Sequence, residues 1–238
     1  MLYLRAAAAA IAAACLLSGC AGQPEVPFDH SANTNLKTIA VLTPSYPSGP
    51  GVVLASTVGQ SFGLVGALVD GAMQSNRESK FSELLSAQKI SVQDTFMQDI
   101  GQVLQAQGYQ VVLQPVTRDK ADFLSQYPPA ASTHADLYLD MVVTGYGYIA
   151  AGVRSSTPYR PAFSVRCKLV RASDGAVLME DTIAYNPLGQ PKNMVTIAPD
   201  ADYVFKDFDT LMADPDKAGQ GLKVAMQKST DSIGLLLR

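Results

Sequence analysis

DLYLDMVVTGYGYI, residues 136–149, decides the fold. Its odd positions Leu137, Leu139, Met141 and Val143 are apolar, while Asp136, Tyr138, Asp140, Thr144, Tyr146 and Tyr148 make the even positions polar or aromatic. Successive strand side chains point to opposite faces, so this alternation predicts a long strand with one face on a core. Residues 160–172 repeat it, with Phe163, Val165, Cys167 and Leu169 alternating with Ser164, Arg166 and Lys168. Ser173-Asp174-Gly175 is a tight-turn signal, and residues 176–185 return as the hairpin partner. Three strands thus come in succession.

Working outward, KTIAVLT at 37–43 is compact and β-rich and is closed by Pro44, which predicts a buried strand. Residues 44–51 hold three prolines and two glycines and read as a loop. The clearest helix spans 91–107: Val92, Phe96, Ile100, Val103 and Leu104 share one face, Ser91 with Asp94 resembles a capping arrangement, and Gly108 is placed to stop it. Residues 109–116 read as a strand and 119–126 as a short helix ended by Pro128-Pro129. Residues 218–237 form a final amphipathic helix with Leu222, Ala225, Met226, Ser229, Ile233 and Leu236 on its inner side. Strands and helices mix without strict βαβ order. The expected fold is therefore α+β, a mixed sheet of about five strands with helices packed on it, in a single domain over residues 37–238.

A Gly-rich insertion at about 52–79 interrupts this order. Ala55, Gly59, Gly63, Ala67, Gly71, Ser75 and Ser79 recur every four residues, with Val58, Phe62, Val65, Val69 and Met73 as an apolar stripe beside them. Glycine costs a helix about 1 kcal/mol relative to alanine, so such a row points to close backbone approach. Three readings stand: tight packing inside the domain, self-association or membrane contact through Gly59 and Gly63, or a flexible loop. Ser56, Thr57, Gln60 and Ser61 argue against a transmembrane helix.

The N-terminus carries an address. One positive charge at Arg5 precedes an apolar run from Ala6 to Leu17, too short to span a bilayer, and the run closes on Leu17-Ser18-Gly19-Cys20. These residues resemble the lipobox of a bacterial lipoprotein precursor. The resemblance implies a signal peptide at 1–19, cleavage between Gly19 and Cys20, and fatty acylation (palmitate-type chains) at Cys20. Several acyl chains, at about 0.8 kcal/mol per buried methylene, anchor stably where one would not. Residues 20–36 then read as the lipidated N-terminus and a flexible tether. Ala21 stands where aspartate favours inner-membrane retention, so the expected location is the periplasmic face of the outer membrane.

Further motifs extend the resemblance into the domain. IAVL at 39–42, GYQVV at 108–112, ADLYLDMVVTGYG at 135–147 and KLVRASDGAVL at 168–178 resemble the curli secretion-channel lipoprotein and its relatives. Those relatives include the penicillin-binding-protein activator lipoproteins and the N-terminal domain of the Tol-system beta-propeller protein. The resemblance covers about half of the mature chain and implies an α/β envelope domain. The connection from Ile149 to Arg160 is shorter than a membrane-crossing hairpin of about 10 residues per strand, which argues against pore formation.

Composition narrows the chemistry. The chain is 47% hydrophobic and 16% charged, as a globular protein is, with a formal net charge of −3 that losing Arg5 makes more negative. No nucleic-acid partner is expected of an acidic chain. With Cys15 removed and Cys20 acylated, Cys167 is left without a disulfide partner, and its apolar neighbours predict a buried thiol. His30 and His134 have no metal-ligand neighbours of suitable spacing. Asp136 and Asp140, four strand residues apart, stand about 13 Å from each other, too far for a glycosidase-type pair. No catalytic residue, metal or cofactor is expected. Tyr138, Tyr146 and Tyr148, with Tyr159, form either an exposed interaction face or a face covered by a second layer. The reading is a non-enzymatic envelope adaptor or assembly factor that binds a periplasmic or outer-membrane protein. The alternative is a homo-oligomeric subunit of an outer-membrane secretion or transport assembly, and an enzyme of hydrolase type comes third.

Overall fold

The structure is a computed structural model that describes residues 26–55, 63–151, 157–187 and 192–238. Its spine is β4 (Leu137–Ala151), the strand read from residues 136–149. β5 (Arg160–Arg171) and β6 (Val177–Tyr185) follow as antiparallel neighbours. The turn between them closes as expected, with Gly175 at φ 74° and Arg171 N–H donating to the Ala176 carbonyl at 2.8 Å. Asp174 braces it by accepting from the Ala176 N–H at 3.1 Å.

The other edge of β4 is covered twice. β1 (Thr38–Leu42) runs parallel to its first half, with Ile39 opposite Leu137, and β2 (Gly51–Ala55) runs parallel to its second half, with Gly51 opposite Gly147. A bridge from Ser45 to Val142 lies between them, so residues 38–55 track β4 as one interrupted strand. β3 (Gln110–Gln114) pairs parallel with β1 at one sheet edge, and the short β7 (Val195–Ile197) pairs parallel with β6 at the other. Seven strands among the described residues thus form one mixed sheet, an α+β fold with two more strands than the sequence shows. β2 is the strand whose first residue closes the Pro- and Gly-rich stretch read as a loop.

Helices cover one face, here called the back. α1 (Gly63–Ala87), α2 (Val92–Ala106) and α5 (Pro215–Leu236) bring Phe81, Phe96, Ile100, Leu104, Leu222 and Met226 against Ile39, Leu139 and Cys167. Ser91 caps α2 by accepting from the Asp94 N–H at 3.2 Å, as its sequence predicts. α5 starts at Asp214, whose side chain accepts from the Lys217 N–H, with Pro215 in the first turn, where a missing N–H costs nothing. The short α4 (Phe208–Ala213) begins with a reciprocal cap between Asp207 and Thr210. Close approach is achieved on α5: a Cβ on Gly221 would overlap the Tyr148 hydroxyl, and one on Gly234 would overlap Val103.

Two sequence readings change. Residues 119–126 are irregular, and the helix nearest them is the one-turn α3 (Ala130–Thr133). The backbone donors explain this: Leu124 N–H goes to the Asp140 carboxylate and Phe123 N–H to Asp122, so neither closes a helical turn. Of the glycine row, Gly59 lies outside the described residues and Gly63 is the first residue of α1. Residues 26–36, read as part of a tether, lie against the domain. Val26 and Glu180 exchange two backbone hydrogen bonds at 3.0 Å, Phe28 packs on the core, and Asn33 is buried in a short 3-10 turn at Ser31–Asn33.

Candidate functional site

The front face of the sheet, opposite the helices, is divided by one irregularity in β4. Val143 pairs with Val165 but Gly145 pairs with Ser164, so Thr144 is an extra residue, a β-bulge. Strand parity reverses there. Before it, Leu137, Leu139, Met141 and Val143 face the back core; after it, Tyr146, Tyr148 and Ala150 do. Tyr146 and Tyr148 therefore leave the face that simple alternation assigns them. Tyr148 is fully buried, donates to the Ala218 carbonyl at 2.8 Å and packs edge-on against Phe81 and Phe205. Burial pushes the hydroxyls of both tyrosines above the usual phenol range.

The first half of the front face is closed by residues 115–135. Tyr138 is buried with its hydroxyl donating to the Pro128 carbonyl at 2.8 Å, and Tyr127 stacks on its ring at 5.7 Å. Beside it Asp140 is completely buried. One carboxylate oxygen meets Arg118 Nη2 at 2.6 Å; the other accepts from the Leu124 N–H at 2.8 Å and the Tyr127 hydroxyl at 3.1 Å. Arg118 also donates to the carbonyls of Thr43 and Asp122, both at 3.0 Å. Burial and then the Asp140 charge push the Tyr127 hydroxyl upward. Outside this pair, Asp122 bridges Arg166 at 2.9 Å, and Phe123 lies under Arg166 and Lys168. With Asp140 and Arg118 both buried and paired, this constellation is a clamp that fastens residues 115–135 to the sheet.

The described residues leave the second half of the front face open as a cavity of about 500 Å³. Its floor is made of small or aliphatic side chains: Gly51 and Val53 from β2, Gly145, Gly147 and Ile149 from β4, Ala162 and Ser164 from β5, and Ala184 from β6. Gln74 and Glu78 of α1, hydrogen-bonded to each other at 2.9 Å, contribute polar groups to the wall together with Thr144 and Asn186. Two glycines have distinct roles. Gly147 has φ 136°, and a Cβ there would overlap the Gly51 carbonyl, so β2 can pair this closely only with glycine. Gly145 has nothing within 4 Å of where a Cβ would be and opens directly into the cavity. The aromatic candidates and this cavity therefore separate: Tyr138 and Tyr148 are interior residues, and Tyr146 offers the cavity a partly covered edge.

The other sequence candidates fall apart in space. Asp136 accepts from the N–H groups of Lys37 and Thr38, fixing the start of β1. His134 ends α3 in a left-handed conformation at φ 51°. No group of three His, Cys, Asp or Glu among the described residues could hold a metal ion. Cys167 is fully buried, donates to the Asp181 carbonyl at 3.6 Å, and has its thiol pushed up by burial. Among the described residues no helix is long and apolar enough to cross a membrane. Cys20 and Gly19 lie outside them.

No family model matches the chain, and no curated protein sequence matches it. Solved structures are similar at low identity. The PelC dodecamer from Paraburkholderia phytofirmans is 12% identical, with 85% of this chain and 89% of that one covered at a TM-score of 0.40. Protein XCC0632 from Xanthomonas campestris is 12% identical over 92% and 90%, at 0.43. Lipoprotein GNA1162 from Neisseria meningitidis is 16% identical over 62% and 81%, at 0.29. At these values no site residue or activity is carried over.

Proposed function

We propose that the chain is a non-enzymatic, lipid-anchored protein of the bacterial envelope, an adaptor or assembly factor that binds another envelope protein from the periplasmic face of the outer membrane. The observation that carries this reading is Leu17-Ser18-Gly19-Cys20 at the end of a short apolar run. Cys20 supplies the anchor. The domain supplies an apolar, glycine-floored cavity whose acidic wall residue, Glu78, is already hydrogen-bonded to Gln74. Such a surface suits side chains of a protein partner better than bond-breaking chemistry, which needs convergent polar groups.

Cys20→Ser tests the anchor. The native protein should carry the mass of acyl chains and sediment with membranes through a high-salt wash. The variant should lack that mass and appear as a soluble or unprocessed form. Membrane retention of the variant after the wash would overturn the anchor.

A further inference from the structure

The polar groups around the front cavity differ in one respect that matters to an occupant. The Thr144 and Ser164 hydroxyls are bonded to each other at 2.9 Å, and the Asn186 amide lies 3.5 Å from the Arg160 carbonyl. Neutral groups of this kind can donate or accept, so they do not fix the sign of a ligand. Glu78 does. It is the one charged side chain among the described residues that line the cavity. One of its oxygens takes the Gln74 amide N–H, and among the described residues no donor or cation meets the other.

The cavity does not end at Glu78. A second recess, of about 750 Å³, shares Gly49, Gly51 and Glu78 with it and follows α1 past Ser79, Ser82, Glu83 and Ser86. The charge it adds is Glu83, again negative, and no basic side chain is among the described residues lining either recess. Together they form one trough, apolar beside Gly145 and acidic along α1, with Glu78 at the junction. An anionic or wholly apolar occupant would cover the Glu78 carboxylate without giving it a partner, which is costly. A cation carried on an otherwise apolar segment removes that cost.

We infer that the trough takes a segment of a partner protein that lays apolar side chains over Gly145, Ala162 and Ala184 and sets a lysine or arginine against Glu78. This rests on the cavity being the interaction face, proposed above. The small floor residues let the segment approach the sheet closely, and the carboxylate selects its charge.

Photo-crosslinking from position 145 in intact cells tests this, in full-length chains that keep Glu78 or carry Glu78→Gln or Glu78→Lys. With Glu78 present, the captured peptide, read by mass spectrometry, should contain Lys or Arg. Glu78→Gln should lower the adduct yield about threefold, as expected for losing a partly exposed ion pair. Glu78→Lys should remove the adduct, and replacing the captured basic residue of the partner by Glu should restore it. Both variants should melt as the native chain does, so that a lost adduct reports binding and not folding. A yield unchanged in both variants, or a captured peptide without a basic residue, would overturn the charge pairing and leave the interaction face standing. No adduct from position 145 in any chain, or only one with a second copy of this chain, would overturn the interaction face and the pairing together.

Discussion

The two halves of the front face are built on the same strands and solve opposite problems. Around Tyr138 and Asp140 the sheet carries large and charged side chains, and residues 115–135 close over them with both oxygens of the Asp140 carboxylate engaged. Past the bulge at Thr144, the same strands carry glycine, alanine and serine, and the described residues leave a cavity. One inserted residue makes the difference. It turns Tyr146 and Tyr148 into the back core and presents Gly145 and Gly147 at the front. The lesson is that polar residues on a strand face can be interior once a later segment closes over them, whereas small residues beside a parity change leave a cavity.

The closed half should be the easier one to break. Arg118→Met leaves the Asp140 carboxylate buried without its cation, and losing one partner of a buried pair costs about 3–5 kcal/mol. For a domain of this size that should lower the melting temperature by about 10 °C, measured by circular dichroism. Adding Asp140→Leu should recover only part of the loss, because the Leu124 N–H and the Tyr127 hydroxyl would then lack an acceptor. Full recovery would mean that the clamp is merely a charge pair.

Gly147→Ala probes the open half from beneath. The new methyl overlaps the Gly51 carbonyl at a φ that alanine disfavours, so β2 must shift from β4 at a cost of about 1–3 kcal/mol. Amide exchange should quicken in β2 while the clamp around Asp140 keeps its protection. Uniform loss of protection would show that the two halves are not separable.

A smaller effect on the back face calibrates both. Burial, and then the neighbouring Asp231 charge, raise the carboxyl of Asp99 above its ordinary value near 3.8. A folded-state value above the unfolded one means that ionisation opposes folding. The penalty is absent below the unfolded value, grows as the pH rises through the folded value, and stays constant above it. Asp99→Asn should therefore raise the melting temperature slightly at pH 7, with the gain vanishing as the pH falls below about 3.8. A gain independent of pH would place its cause elsewhere.

Much of this fold is legible before any coordinate. Alternation in 136–149 and 160–172, the Ser-Asp-Gly turn and the Ser91 cap are local signals, and local structure follows them. What stays hidden depends on partners distant in sequence. β2 goes unread, with Gly51 closing a loop and residues 52–55 opening the Gly-rich insertion, because its pairing with β4 is parallel and its glycine serves close packing against Gly147. Residues 119–126 look helical because their periodicity cannot reveal that Asp140 will take the Leu124 N–H. The bulge at Thr144 has no local signature beyond Gly145, yet it decides which tyrosines are buried and so where the cavity lies. The glycine row of 55–79 suggests close helix approach, while Gly221 and Gly234 of α5, which read only as part of an amphipathic helix, provide it.

The most direct test of the open half as the interaction face is site-specific photo-crosslinking in intact cells that keep Cys20. Position 145 lines the cavity and has no atom within 4 Å of where a Cβ would be, so a photoreactive side chain can start there, and one at exposed Asp122 sits on the clamp. Position 145 should give a discrete adduct with another envelope protein, and position 122 should not. Equal adducts from both positions, or an adduct from position 122 alone, would contradict the assignment.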